Sequence, residues 1–93
     1  MYLGEIYMTR GIVNLIGEGT ITKNEAMRCL SRHQRGDYGL LDSHDVEVNE
    51  RNLNHNSGTV MSEYVVNGIR TWYITSLGDS ETTYTTILLP EEY

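Results

Sequence analysis

The chain has 93 residues, 39% of them hydrophobic, with one proline, one cysteine and a formal net charge of −6. That length gives one domain with a single modest core, spanning 1–93, and the apolar content excludes a disordered chain. The lone cysteine excludes an internal disulfide, no apolar run reaches the ~18 residues of a membrane span, and no basic-then-apolar leader opens the chain, so the expectation is a soluble, cytoplasmic protein with no membrane partner.

In chain order, Tyr2–Met8 reads as a first strand around Ile6 and Tyr7, weakened by Gly4. Thr9 caps a short helix over 10–16, which Gly17 and Gly19 stop. Thr22-Lys-Asn-Glu25 is a capping box opening a helix over 22–35, and Ala26, Cys29, Leu30 and His33 fall on one face of a 3.6-residue period. Gly36 supplies a left-handed stop, and Arg28, Arg32 and Arg35 lie off the apolar face. After the connector 37–43, Asp42 or Ser43 caps a third helix to about His55, whose stripe of Val46, Val48 and Leu53 is thin, as on a surface helix.

The clearest signal comes next. β-Branched and aromatic residues flank Asn67-Gly68, the dipeptide that best accepts the two positive φ angles of a type I′ turn. A two-residue turn fixes the register: Val66 faces Ile69, Tyr64 faces Thr71, Glu63 faces Trp72 and Met61 faces Ile74. A third strand over 82–89 completes a meander. Both faces of the hairpin are substantially apolar, so helices cover one face and the first helix, the termini or a second chain cover part of the other. The expected fold is α+β: an antiparallel β-meander of three C-terminal strands, joined by an N-terminal strand and packed by two or three helices.

Chemistry-bearing patterns are few. Cys29 and His33, four apart on one helix, have the spacing of a metal pair, but they lie on the face that must be buried, which favours packing over ligation. Asp37 with Asp42 is explained by helix capping. There is no phosphate-binding glycine loop, nucleophile elbow or Cys-x-x-Cys, so no catalytic residue, cofactor or metal is assigned. Charge is uneven. Residues 1–36 carry five cations against three carboxylates, a balance of +2; residues 37–93 carry two against ten, a balance of −8. An acidic surface attracts basic protein partners and repels nucleic acid. Asp42, Asp45, Glu47, Glu50, Glu81, Glu91 and Glu92 are the candidate protein-interaction residues. Lys23, Arg28, Arg32 and Arg35 form the only basic strip, the candidate for nucleic-acid contact.

Taken together, Thr9-Arg10-Gly11, Arg32-His33-Gln34-Arg35-Gly36-Asp37-Tyr38-Gly39, Asn49-Glu50, Trp72-Tyr73-Ile74-Thr75 and the ending Thr86-Ile87-Leu88-Leu89-Pro90-Glu91-Glu92-Tyr93 resemble a family of small uncharacterised bacterial proteins carried on plasmids, phages and other mobile elements. Its members share an Arg-His-x-x-Gly-Asp-Trp-Gly motif and a Thr-Thr-x-Leu-Leu-Pro-x-Glu-Tyr tail. Tyr38 stands here where Trp is usual, and the segment between strands two and three is longer. Some members carry the label of a type I restriction subunit, although a chain of this length without a cofactor fingerprint does not house a methyltransferase. The motif reads as architecture: His33 closes the apolar stripe beside a sheet that carries Trp72, Gly36 ends the helix, Asp37 accepts from turn amides and from His33, and the tail docks Tyr93 onto the sheet. The resemblance implies mobile-element cargo that binds and blocks host defence machinery. The expected function is a non-enzymatic protein-binding module of the anti-restriction or anti-CRISPR inhibitor type. A nucleic-acid accessory using helix 22–35 ranks second and an enzyme centred on His33 and Asp37 last; a homodimer is compatible with all three.

Overall fold

The computed structural model describes residues 1–93, which run β1 (Glu5–Met8), α1 (Arg10–Glu18), α2 (Lys23–Gln34), α3 (Ser43–His55), β2 (Thr59–Val66), β3 (Ile69–Ser76), β4 (Tyr84–Leu88) and a 3₁₀ turn at Pro90–Glu92. One four-stranded sheet holds the strands in the order β1-β4-β3-β2. β2, β3 and β4 form an antiparallel meander, and β1 joins the far side of β4 in parallel. The α+β meander expected from the sequence is the fold, in a sheet that is mixed but mostly antiparallel.

The hairpin adopts the register that its turn dictates, with Val66 opposite Ile69, Glu63 opposite Trp72 and Met61 opposite Ile74. Asn67 and Gly68 take φ of 51° and 82°. α2 closes its capping box, Glu25 N–H donating to Thr22 Oγ1 at 3.1 Å and Thr22 N–H to Glu25 Oε1 at 2.9 Å. Its buried residues are Ala26, Cys29, Leu30 and His33, the face that the periodicity selects.

Details differ from expectation: β4 spans Tyr84–Leu88 rather than 82–89, because Asp79 holds Thr82 and Thr83 in the preceding turn. β1 starts at Glu5 because Gly4 takes a φ of 64° and lies so close to β4's approach that a Cβ there would sit 1.8 Å from the Thr83 carbonyl oxygen. α1 runs through Gly17 and ends at Gly19, whose φ is 80°. Thr9 precedes α1 without a side-chain cap; the carboxylate of Glu92, at the opposite end of the chain, accepts from Thr9 Oγ1 at 2.5 Å and Gly11 N–H at 2.9 Å.

The core lies between the sheet and α1 and α2, built from Ile12, Ile21, Cys29, Leu30, Tyr64, Val66, Tyr73 and Ile87. Tyr64 and Tyr73 meet edge to face with centroids 5.3 Å apart, and the Tyr73 hydroxyl donates to the Ala26 carbonyl at 2.9 Å. α1 therefore joins α2 on the first face rather than wrapping the second. On the second face only the C-terminal segment leans in, with Tyr93 edge-on to Trp72 at 5.5 Å. Beside it lies a trough of about 380 Å³ lined by Ile74, Thr86 and Leu88. No helix is long and apolar enough to cross a membrane.

α3 lies along the outer edge of β2 rather than over the sheet. Its single buried residue is polar: Asn49 Nδ2 donates to the Met61 carbonyl at 2.8 Å, and Met61 N–H donates to Asn49 Oδ1 at 3.0 Å. Asn52 Nδ2 donates to the Thr59 carbonyl at 2.7 Å. Further along, Glu63 N–H donates to the Tyr38 carbonyl and Leu40 N–H to the Glu63 carbonyl, at 3.1 and 2.8 Å. An edge strand presents unpaired backbone groups that invite pairing with other chains. Here Thr59, Met61 and Glu63 are occupied in turn by two asparagines and a bridging connector.

Candidate functional site

The motif Arg32–Gly39 makes that connector. Gly36 takes a φ of 86°, Gly36 N–H donates to the His33 carbonyl at 3.2 Å and Asp37 N–H reaches back to the Arg32 carbonyl at 3.0 Å, a Schellman ending that reverses the chain. The reversal brings Asp37 onto Arg32, not onto His33. Arg32 Nε and Nη2 donate to the two Asp37 oxygens at 2.7 and 3.3 Å, and Gly39 N–H donates to Asp37 Oδ1 at 3.2 Å. The Arg32 bonds, then the Gly39 amide, hold the Asp37 carboxyl below its usual range. Arg32 also lies over the Tyr64 ring, 4.6 Å from its centroid. Gly39 takes a φ of 69°, and a Cβ there would lie 2.1 Å from the Glu63 carbonyl oxygen, so the approach to β2 requires glycine. Tyr38 is buried, its ring edge-on to His33.

His33 is wholly buried and both ring nitrogens are engaged: Nδ1 with Ser62 Oγ at 2.5 Å and Nε2 with Thr75 Oγ1 at 2.9 Å. Thr75 Oγ1 meets Thr85 Oγ1 at 2.7 Å, and Thr85 Oγ1 donates to the Leu3 carbonyl at 2.7 Å. The direction of this chain fixes the tautomer. A carbonyl only accepts, so Thr85 spends its proton on Leu3 and Thr75 must donate to Thr85. Nε2 of His33 then carries the proton and donates to Thr75, while Nδ1 accepts from Ser62. Burial pushes the His33 pKa down to about 4, with the N-terminal charge adding to the effect. This neutral imidazole links α2 to β2, β3, β4 and the N-terminal segment. Periodicity placed His33 in the core but could not name its partners. The signal was present in the inward-facing serine and threonines of alternate strand positions.

Cys29, the other half of the proposed metal spacing, is buried beside Tyr73, and desolvation raises its pKa. No group of three His, Cys, Asp or Glu side chains comes within reach of one ion. Trp72 is half-buried and its Nε1 donates to Glu63 Oε2 at 3.0 Å. That bond, ahead of the Arg70 pair, lowers the Glu63 pKa.

The acidic candidates separate into groups. Asp42 caps α3, its Oδ1 accepting from Asp45 N–H at 2.9 Å, and Asp45, Glu47 and Glu50 are exposed along the helix. Glu81 lies in the β3–β4 connection, which Asn56 Nδ2, at the end of α3, joins through the Gly78 carbonyl at 3.1 Å. Glu91 lies at the opposite end of the sheet, beside the hairpin turn and Arg70. Glu92 is spent within the chain: besides Thr9 and Gly11 it accepts from Leu89 N–H at 2.8 Å, and the Thr9 bond foremost lowers its pKa. The basic strip is also divided, since Arg32 is paired to Asp37 while Lys23, Arg28 and Arg35 stay exposed. Comparison with protein-family models, with curated proteins and with solved structures gives no match.

Proposed function

We propose that this chain is a non-enzymatic, acidic protein-binding module that docks on a basic groove of a partner and acts by occlusion. The observation that carries the reading is an asymmetry of pairing. The chain has two ion pairs, Arg32–Asp37 and Arg70–Glu63, and neither involves α3, whose Asp45, Glu47 and Glu50 stand exposed along one edge of the molecule. Unpaired like charges on a rigid support set up a field that attracts an oppositely charged surface. His33 and Asp37, the pair on which an enzyme would centre, are committed to internal hydrogen bonds. The resemblance to mobile-element proteins adds a context in which the partner is a host defence nuclease or restriction complex, the acidic edge standing in for nucleic-acid phosphate. The second reading, nucleic-acid contact through α2, loses Arg32 to Asp37 and keeps Lys23, Arg28 and Arg35.

Paired charge reversals test the two. A partner is captured with the wild-type protein from bacterial lysate, purified, and its Kd measured at two salt concentrations. Changing Asp45, Glu47 and Glu50 to Lys is expected to weaken binding by at least tenfold and to flatten its salt dependence, mainly through a slower on-rate. Changing Arg28 and Arg35 to Glu is expected to leave it within twofold. Binding that survives the first set and fails with the second would transfer the function to α2 and nucleic acid.

A further inference from the structure

Three exposed tyrosines, Tyr2, Tyr7 and Tyr84, meet around one cavity of about 380 Å³. Two carboxylates, Glu5 and Glu81, line it as well, and no lysine, arginine or histidine does. The Tyr7 and Tyr84 rings stand nearly perpendicular, at 77° with centroids 6.0 Å apart, so they form two walls of the space. Glu5 Oε2 accepts from the Tyr7 hydroxyl at 2.5 Å, while its other oxygen has no partner in the chain. Glu81 uses only its backbone N–H, donated to Asp79 Oδ1 at 2.8 Å, and neither glutamate belongs to an ion pair.

The backbone around the cavity is tied together by contacts within the chain. Gly4 is pressed against the Thr83 carbonyl, and the Tyr2 hydroxyl donates to the Ser80 carbonyl at 3.3 Å. The connection that carries Glu81 is closed on itself by Asp79, whose Oδ1 also accepts from Thr82 N–H at 3.0 Å. A site formed in advance loses little ordering entropy on binding. Aromatic rings beside unpaired carboxylates, with no cation of the chain's own, are complementary to a delocalised cation. Nucleic acid is disfavoured, because a base stacked on these rings would bring its phosphates up to Glu5 and Glu81.

The same molecule shows such a set of groups filled. On the α2 side Arg32 lies over the Tyr64 ring at 4.6 Å while forking to Asp37 at 2.7 and 3.3 Å. Guanidinium suits both demands, since it is planar, weakly hydrated and presents paired donors to carboxylate. We propose that the cavity between β1 and the β3–β4 connection is a socket for an arginine side chain of the protein partner, stacked against Tyr7 and Tyr84 and hydrogen-bonded to Glu5 and Glu81. The proposal rests on the reading of the chain as a binder of basic protein surfaces. The Asn56–Gly78 bond ties the C-terminal end of α3 to the β3–β4 connection, whose later residues, Ser80 to Thr83, line the socket.

The test is an NMR titration of the ¹⁵N-labelled protein with the tripeptide acetyl-Gly-Arg-Gly-amide, its lysine counterpart and its citrulline counterpart, which is neutral but isosteric. Saturable shifts confined to residues 2–7 and 80–84 are expected with the arginine peptide, weaker ones with lysine and none with citrulline. Tyr84→Leu and, separately, Glu81→Gln are expected to weaken the arginine peptide by about tenfold, with unchanged melting temperatures because both side chains are exposed. Shifts centred on α3, equal shifts with citrulline, or an arginine peptide indifferent to both variants would overturn the socket. Lysine binding as tightly as arginine would overturn the guanidinium assignment. Failure here is separable from failure of the broader reading. An unresponsive cavity, with partner binding still lost on reversal of α3, removes the socket alone. Partner binding indifferent to both α3 reversal and Tyr84→Leu removes the broader reading and with it the socket's role in docking.

Discussion

At the scale of single residues, His33 sets how the fold responds to acid. Its folded-state pKa of about 4 lies below the ordinary value near 6.5, so the unfolded chain takes up a proton first. Stability from this residue is complete above about pH 6.5 and is lost progressively as pH falls towards 4, a loss on the order of 3 kcal/mol. Thermal melts at pH 7.0, 5.5 and 4.5 should show the decline, and His33→Gln, less stable at pH 7, should show a much flatter one over the same window. A parallel decline in both proteins would assign the acid sensitivity to carboxylates instead. Glu92 is the second residue with disproportionate reach, because it caps a helix more than eighty positions away in sequence. Glu92→Ala should destabilise by about 1–2 kcal/mol, read by urea denaturation, whereas Glu91→Ala, which makes none of these bonds, should be near neutral.

At the scale of elements, α2 was legible because local chemistry and periodicity agree on it: its capping box, its buried face and its glycine stop lie within fifteen residues. Leu30→Ala should accordingly cost about 2–5 kcal/mol, measured by chemical denaturation. The hairpin was legible for the same reason, since Asn67-Gly68 fixes its register locally. α3 was only half legible. Its boundaries follow from Asp42 and Asn56, but hydrophobic patterning gave no purpose to a stripe in which Asn49 sits three residues after Val46 and four before Leu53. Asn49 is there to pair with Met61's backbone, and that need arises only once β2 is known to be an outer strand. Asn49→Leu should cost about 2–3 kcal/mol by leaving both Met61 groups without partners. It should also make the protein self-associate with rising concentration in sedimentation experiments, because the freed edge can pair with another copy.

At the scale of the whole molecule, what could not be read from the sequence was whatever depends on distant segments meeting. The separation of Glu91 and Glu92 from α3 comes from β4 running back along β3 towards the hairpin turn, and the place of the first strand and the tyrosine-lined cavity come from β1 lying beside β4. That pairing joins the first strand to the last one, and Glu92 seals the junction onto α1. On the ribosome, residues emerge from the N-terminus, so β1 and α1 wait with their partners unmade until β4 and Glu92 have been translated. Closure of so long a loop is also entropically slow compared with forming α2 or the hairpin. The protein is therefore expected to acquire its native protease resistance only once β4 and Glu92 have left the exit tunnel. Nascent chains stalled at Leu77 should be cut readily within residues 1–20, and removal of just Pro90–Tyr93 from the released protein should raise cleavage in that same N-terminal stretch.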